Sequence, residues 1–154
     1  GELAKTEGID NFLKGGWLET YVYSVLIKTK YQGQPMFDDI LLDPTYTIAG
    51  AERNVDVFAT RGGIAAAFEC KTGESAKDHG PVTQLSGATQ PIGNRFVHRF
   101  VVIDLPQSEV PALVNAGKAQ STVVICSNNL QNIPAIVQQE FGLNPKNPPI
   151  YSPL

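Results

Sequence analysis

A chain of 154 residues with 42% hydrophobic content is about one domain's worth of sequence and can bury a sizeable core. Its formal net charge of -3 supplies no global basic field, so a nucleic-acid partner would have to be met by a local cluster of Lys and Arg. No apolar run approaches the roughly 18 residues that span a bilayer, and the N-terminus lacks the basic-then-apolar order of a signal peptide, which argues against a membrane partner and for a cytoplasmic protein.

Residues 1–10 read as an N-terminal extension or linker. The sequence opens on Gly1 and its only methionine is Met36, as expected of a segment of a longer chain or of a product of tag removal. A domain is predicted over residues 11–143. From Asn11 to about Lys28 the apolar residues Leu18, Tyr21, Val22, Val25 and Leu26 recur at the spacing of an amphipathic helix. Gly15 and Gly16 lie in the same stretch, where each glycine costs roughly 1 kcal/mol against alanine, and close approach of the helix to a sheet would explain them. Trp17, beside the buried stripe, is expected to anchor the core.

Three β-like runs follow: "DILLDPTYTIAG", "NVDVFAT" and "GIAAAFECK", separated by turn-formers at Gly50 to Asn54 and at Gly62-Gly63. A second helix is predicted with Pro81 near its first position and its end before Pro91. Next come a buried strand "RFVVIDL", a helix around Gln107 to Ala116, a strand "STVVICS" and a short helix around Ile133 to Phe141. The order αβββαβαβα implies an α/β fold, a mixed β-sheet flanked by helices on both faces, because parallel neighbours need crossover connections. The tail over residues 144–154, "NPKNPPIYSPL", carries too much proline for a helix and reads as extended. Cys70 and Cys126 sit in apolar stretches without a CxxC pair, the pattern of buried thiols in a reducing cytosol.

Alternation along "GGIAAAFECK" puts Ile64, Ala66, Phe68 and Cys70 on one face and Ala65, Ala67, Glu69 and Lys71 on the other. The alanines leave room for a helix to lie close. In the preceding strand Val55 and Val57 are expected to share a face, leaving Asp56 with Phe58 on the opposite one, beside Glu69. Glu19 sits on the margin of the first helix's buried stripe, one turn before Val22. Glu19, Asp56 and Glu69 would then gather with Lys71 around one point. Two like charges about 4 Å apart repel by roughly 4 kcal/mol at an effective dielectric near 20, so three carboxylates need more compensation than one lysine gives. Hard oxygen ligands of this kind suit Mg2+ or Mn2+, with the Cys70 carbonyl as a further oxygen. Such an ion presents a water nucleophile to a phosphodiester, and a fixed ammonium stabilises charge on the phosphorus.

Glu on a first helix, then Asp56 in "NVDV" and "ECK" thirteen residues later, resembles the PD-(D/E)XK nuclease superfamily with its restriction-endonuclease-like core. The phrases "FLKGGWLETYVY", "RNVDVF" and "FECKTG" look like the nuclease domain of CRISPR-associated Rossmann-fold (CARF) effectors of type III CRISPR systems, over about residues 11 to 105. That resemblance implies metal-dependent cleavage of DNA or RNA by a defence effector. It makes Glu19, Asp56, Glu69 and Lys71 the catalytic residues, with Asp56, Glu69, Cys70 and Glu19 toward the metal. It also implies a homodimer and a CARF sensor domain that binds cyclic oligoadenylate; that sensor is not in this sequence and would be an N-terminal domain or a separate partner.

Other residues carry weaker signals. Gln84, on the helix after the ExK strand, is a candidate for supporting the site. His79 and His98 read as surface or strand-end residues, with a histidine general base as the alternative. Lys77, Arg95 and Arg99 are candidates for local contacts to nucleic acid or simply solvated charges. An isolated D…ExK match is weak, and its bland reading is a salt bridge at a strand end. Two other functions stand beside the nuclease: a catalytically silent module that binds nucleic acid or a partner protein, and a small-molecule phosphohydrolase.

Overall fold

The computed structural model of the protein describes residues 16–73, 77–143 and 150–151. Helix α1, Trp17–Lys28, buries Leu18, Val22, Val25 and Leu26, the stripe read from the sequence. Residues 11–15 of the predicted helix, Gly15 among them, lie outside the described residues. Gly16 stands at the N-cap, where glycine costs only a few tenths of a kcal/mol, so it needs no packing reason. Trp17 does not anchor the core: it is 36% exposed, because the first residue of α1 turns outward and Leu18, fully buried, takes the inward position.

After α1 the chain makes a hairpin of β1, Thr29–Tyr31, and β2, Gln34–Pro35, that the sequence reading missed. The run from Asp39 to Gly50 is not one strand either. It divides at Asp43-Pro44 into β3, Asp39–Leu42, and β4, Thr45–Ile48. Pro44 has no N–H for a ladder, and Asp43 before it adopts a left-handed φ of 52°. Strand β4 leaves the main sheet and pairs with β5, Ala51–Asn54, a segment expected to be a turn. The turn itself is Ala49-Gly50, both with positive φ, the geometry that two-residue hairpin loops favour.

The central sheet has the order β3-β6-β7-β8-β9, with β6 spanning Val57–Arg61, β7 Ile64–Lys71, β8 Val97–Ile103 and β9 Thr122–Ile125. The pairs β3–β6 and β6–β7 are antiparallel; β7–β8 and β8–β9 are parallel. The Gly62-Gly63 turn closes β6 on β7 as expected, with φ of 57° and 81°. Helices α2, Gly80–Thr89, α3, Pro111–Ala119, and α4, Ile133–Glu140, supply the crossovers and the final layer. Apart from the two small hairpins, the order αβββαβαβα and the mixed, helix-flanked sheet are those read from the sequence. Strand β10, Ile150–Tyr151, pairs with β1, so part of the proline-rich tail returns to the domain.

Two apolar layers sandwich the sheet. On one face Leu18, Val22, Val25 and Leu26 of α1, with Ile133 and Val137 of α4, cover Ala66, Phe68, Cys70, Phe100 and Val102. Phe68 and Phe100 stack there with ring centroids 4.8 Å apart. On the other face Val82 and Leu85 of α2 and Leu113 of α3 cover Ala65, Ala67, Val97, Val101 and Ile103. Gly117 lets α3 sit down on β9: a Cβ there would meet the Thr122 carbonyl oxygen at 2.7 Å. Both cysteines are buried thiols. Among the described residues, no helix is long and apolar enough to cross a membrane.

Candidate active site

Strand β7 carries the ExK pair out of the core at its C-terminal end. Glu69 follows Ala65 and Ala67 on the α2 face, and its side chain is only 5% exposed, whereas Lys71 is 40% exposed. The Lys71 Nζ lies 3.4 Å from the Glu69 Oε1. Beyond Lys71 the chain is tied back by the Gly73 N–H, which donates to Asp104 Oδ1 at 3.0 Å.

Asp56 reaches this pair by a route that simple alternation does not give. Val55 packs in the α2 layer and Val57 in the α1 layer, so the two valines face opposite sides rather than sharing one. The chain bends at Asp56, between β5 and β6, and the ladder restarts at Val57 opposite Phe68. At the bend the Asp56 N–H donates to the Phe68 carbonyl at 3.1 Å, and the Asp56 carbonyl accepts from the Asp43 N–H at 2.7 Å. The side chain comes to the rim of β7, where its Oδ2 accepts from the Cys70 N–H at 2.7 Å. From that rim it meets groups of both layers. Glu19, from α1, donates a hydrogen bond to the Asp56 carboxylate, and Asp56 also raises the pKa of Glu69.

The electrostatics follow from this crowding. Burial, then the charges of Asp56 and Asp43, push Glu19 up to about 7; burial, then Asp56, push Glu69 up to about 7 against the pull of Lys71. Burial raises Asp56 as well, while the Cys70 N–H and Lys71 work the other way. Burial and the same carboxylates drive the Cys70 thiol well up, so its sulfur stays a protonated core atom. Glu19, Asp56, Glu69 and Lys71 are therefore electrostatic neighbours, and the Cys70 backbone lies among them.

One further acid belongs to the group. Asp43 raises the pKa of both Glu19 and Asp56, and nothing in "LLDPT" separates it from an ordinary turn aspartate. Other candidates sit on α2 and β8. Gln84 is exposed on α2. His98 pairs with Ala66, five positions from the Lys71–Ile103 pair or roughly 16 Å along the strand, and packs against Phe141 with centroids 4.6 Å apart. Arg99 is not a surface contact for nucleic acid: it is 4% exposed, and its Nε and Nη1 donate to Thr89 Oγ1 at 2.6 Å and Asn94 Oδ1 at 2.8 Å. His79 and Arg95 are exposed.

Among the described residues, no three His, Cys, Asp or Glu side chains converge as a ready-made metal cage. The donor set still has the chemistry of a Mg2+ or Mn2+ site, since Mg2+ usually takes one or two carboxylates and keeps several waters. Crowded carboxylates with raised pKa values are also the electrostatic complement of a cation.

No protein-family model matches the chain, and no curated protein matches it. Solved structures do share its fold. Protein VC1899 from Vibrio cholerae superposes with a TM-score of 0.65 at 19% identity, covering 86% of this chain and 35% of its own. Can2 from Sulfobacillus thermosulfidooxidans, in complex with cyclic tetra-adenylate, superposes with a TM-score of 0.60 at 17% identity, covering 84% of this chain and 36% of its own. The chain thus spans about a third of the length of each neighbour.

Proposed function

We propose that the protein is a divalent-metal-dependent nuclease that hydrolyses phosphodiester bonds of DNA or RNA, working as the cutting domain of a CRISPR-associated defence effector. The observation that carries the reading is the electrostatic crowding of Glu19, Asp56 and Glu69 beside the half-exposed Lys71 ammonium at the end of β7. A silent module has no reason to keep such a costly group, because each buried charge loses solvation that Lys71 alone does not return. Asp56 and Glu69 would hold Mg2+ or Mn2+, with the Cys70 carbonyl and Glu19 completing its polar surroundings. The ion would supply Lewis-acid assistance and an activated water.

The chain's own residues have separable tasks in this reading. The Cys70 N–H fixes the Asp56 Oδ2, and a cation would compete with Glu19 for the rest of that carboxylate. Glu69 anchors Lys71, whose ammonium faces solvent where a scissile phosphate would bind and stabilises the charge that develops there. Glu19, pushed up to about 7 by burial and its acidic neighbours, is only partly ionised near neutral pH, and a bound cation would favour its carboxylate form. The fold shared with Can2, solved with cyclic tetra-adenylate, supports the tie to effectors controlled by cyclic oligoadenylate, the ligand class of the CARF sensor. The sensor, whether joined or separate, and a homodimeric assembly belong to the same proposal.

Incubation of the protein with supercoiled plasmid, single-stranded DNA and RNA, each with Mn2+ or with EDTA, tests it. Cleavage of at least one substrate that needs Mn2+ is expected. No cleavage of any of them, with the same nucleic acids still bound in a gel-shift assay, would favour the binding module.

A further inference from the structure

Asp56 sits in a bend, outside the regular ladder that holds its neighbours, yet its carboxylate has to be aimed. The bend is closed by the Asp43 N–H, which donates to the Asp56 carbonyl at 2.7 Å. Asp43 holds a left-handed φ of 52° at this point, a conformation that aspartate visits more readily than most residues with a Cβ. Of the three other left-handed non-glycine residues among those described, Gln32 and Ala49 lie in two-residue hairpin turns and are each followed by a glycine, and Ser121 stands just before β9. Asp43 has no such turn, and Pro44 follows it. Asn54, two residues before Asp56, holds it: its Nδ2 donates to Asp43 Oδ1 at 2.8 Å and to the Pro44 carbonyl at 2.9 Å. Asn54 also pairs with Thr45 at the open end of the β4–β5 hairpin, so the clasp joins both strands leaving the bend.

We propose that Asn54 and Asp43 are positioning residues for Asp56: Asn54 clasps the Asp43 side chain and the Pro44 carbonyl, which sets the Asp43 N–H against the Asp56 carbonyl and aims the Asp56 carboxylate at the Cys70 N–H. The consequence for cleavage rests on the nuclease reading; the aiming of Asp56 does not, and can be measured without metal or substrate.

The measurement is the amide resonance of Cys70 in 15N-labelled protein, since an N–H that donates to a carboxylate is displaced downfield. Asp56→Ala gives the position of that resonance without the bond. Asn54→Asp is isosteric but sets a carboxylate against Asp43 Oδ1, and Asp43→Gly removes the clasp while relieving the strained φ, so the fold is retained. Both variants should move the Cys70 amide toward its position in Asp56→Ala, with the Val101 amide on the next strand unmoved. Asp43→Asn keeps an oxygen for Asn54 and should leave the Cys70 amide near its wild-type position. With Mn2+, Asn54→Asp, which leaves the Asp43 charge in place, should lose about 10–100-fold in metal affinity, the usual effect of removing a group that orients a ligand. A Cys70 amide unmoved in both Asn54→Asp and Asp43→Gly overturns the proposal. So does a loss of cleavage in these variants without that displacement, because Asn54 would then act elsewhere. If the wild-type protein fails to cleave, the nuclease reading falls, and the Cys70 resonance still decides this one.

Discussion

Glu69 and Arg99 are buried charges on the same face of neighbouring strands, 4% exposed in each case, and they have opposite relations to the fold. Arg99 lies beside Ala67, one pair before Glu69 on that face, and donates to neutral oxygens of Thr89 and Asn94. Its hydrogen bonds tie the end of α2 and the loop after it to the sheet, which is structural work. Glu69 lies beside Val101 among other carboxylates, and the cation nearest to it is half in solvent. The fold bears Glu69 as a cost and uses Arg99 as a strut. Burial alone does not mark a functional charge; burial without adequate compensation does.

The largest expected effect that tests this contrast is on the exposed partner of the pair. Lys71→Ala should lower cleavage by about 100- to 1000-fold while leaving the melting temperature and Mn2+ binding close to wild type, because a fixed ammonium acts on the transition state. Cleavage at the wild-type rate under saturating Mn2+ would return the pair to an ordinary strand-end salt bridge. Next in size is the response to metal. Mn2+ at 100 times its dissociation constant should stabilise the fold by about 2.7 kcal/mol, and Asp56→Asn should lose most of that increment. An equal rise in melting temperature for both proteins would remove Asp56 from the metal.

Smaller effects separate the two buried charges directly. Arg99→Ala should cost roughly 2 kcal/mol, since it leaves Thr89 and Asn94 without their donors, and Arg99→Lys should recover little because one ammonium cannot reproduce two directed N–H groups. Glu69→Gln should do the reverse in metal-free protein at pH 8, stabilising it by about 1 kcal/mol by removing an anion from a crowded site. Urea unfolding of the two variants reads both signs, and destabilisation by Glu69→Gln would make Glu69 a strut as well.

The pH dependence is the most specific of these effects. Glu19 and Glu69 titrate from 4.5 to about 7 on folding, so the folded protein holds extra protons between those values. Their contribution to stability is full below about pH 4.5 and is lost as pH rises through 7. Metal-free protein should therefore melt lower at pH 8 than at pH 5.5, and Glu69→Gln should flatten the slope, whereas Arg99→Ala should lower the whole curve without changing it. A curve for Glu69→Gln parallel to wild type would refute the assignment.

Much of this was legible in the chain. The α1 stripe, the faces of β7, the Gly62-Gly63 turn and the order of the core elements follow from apolar periods and turn residues that act over a few positions. The ExK pair could be placed because a strand's alternation is local. The misreadings share a cause. Trp17 turned outward and Arg99 inward because their neighbours in space, not in sequence, decide which end of an amphipathic side chain is wet. The Ala49-Gly50 hairpin was hidden by an alanine with a positive φ that its own propensity would refuse.

The sequence by itself determined the helix-flanked sheet and the residue types that meet at the end of β7, since hydrophobic period and turn chemistry are properties of short segments. Only the tertiary structure decided how they meet. Asp56 reaches both Glu19 and Glu69 because the chain bends there, and the bend depends on the Asp43 N–H, thirteen residues earlier, and on the Phe68 carbonyl of the neighbouring strand. The raised pKa values arise in the same way: they are sums over charges and burial contributed by α1, β7 and the connections at Asp43 and Asp56 together, and no single segment carries them.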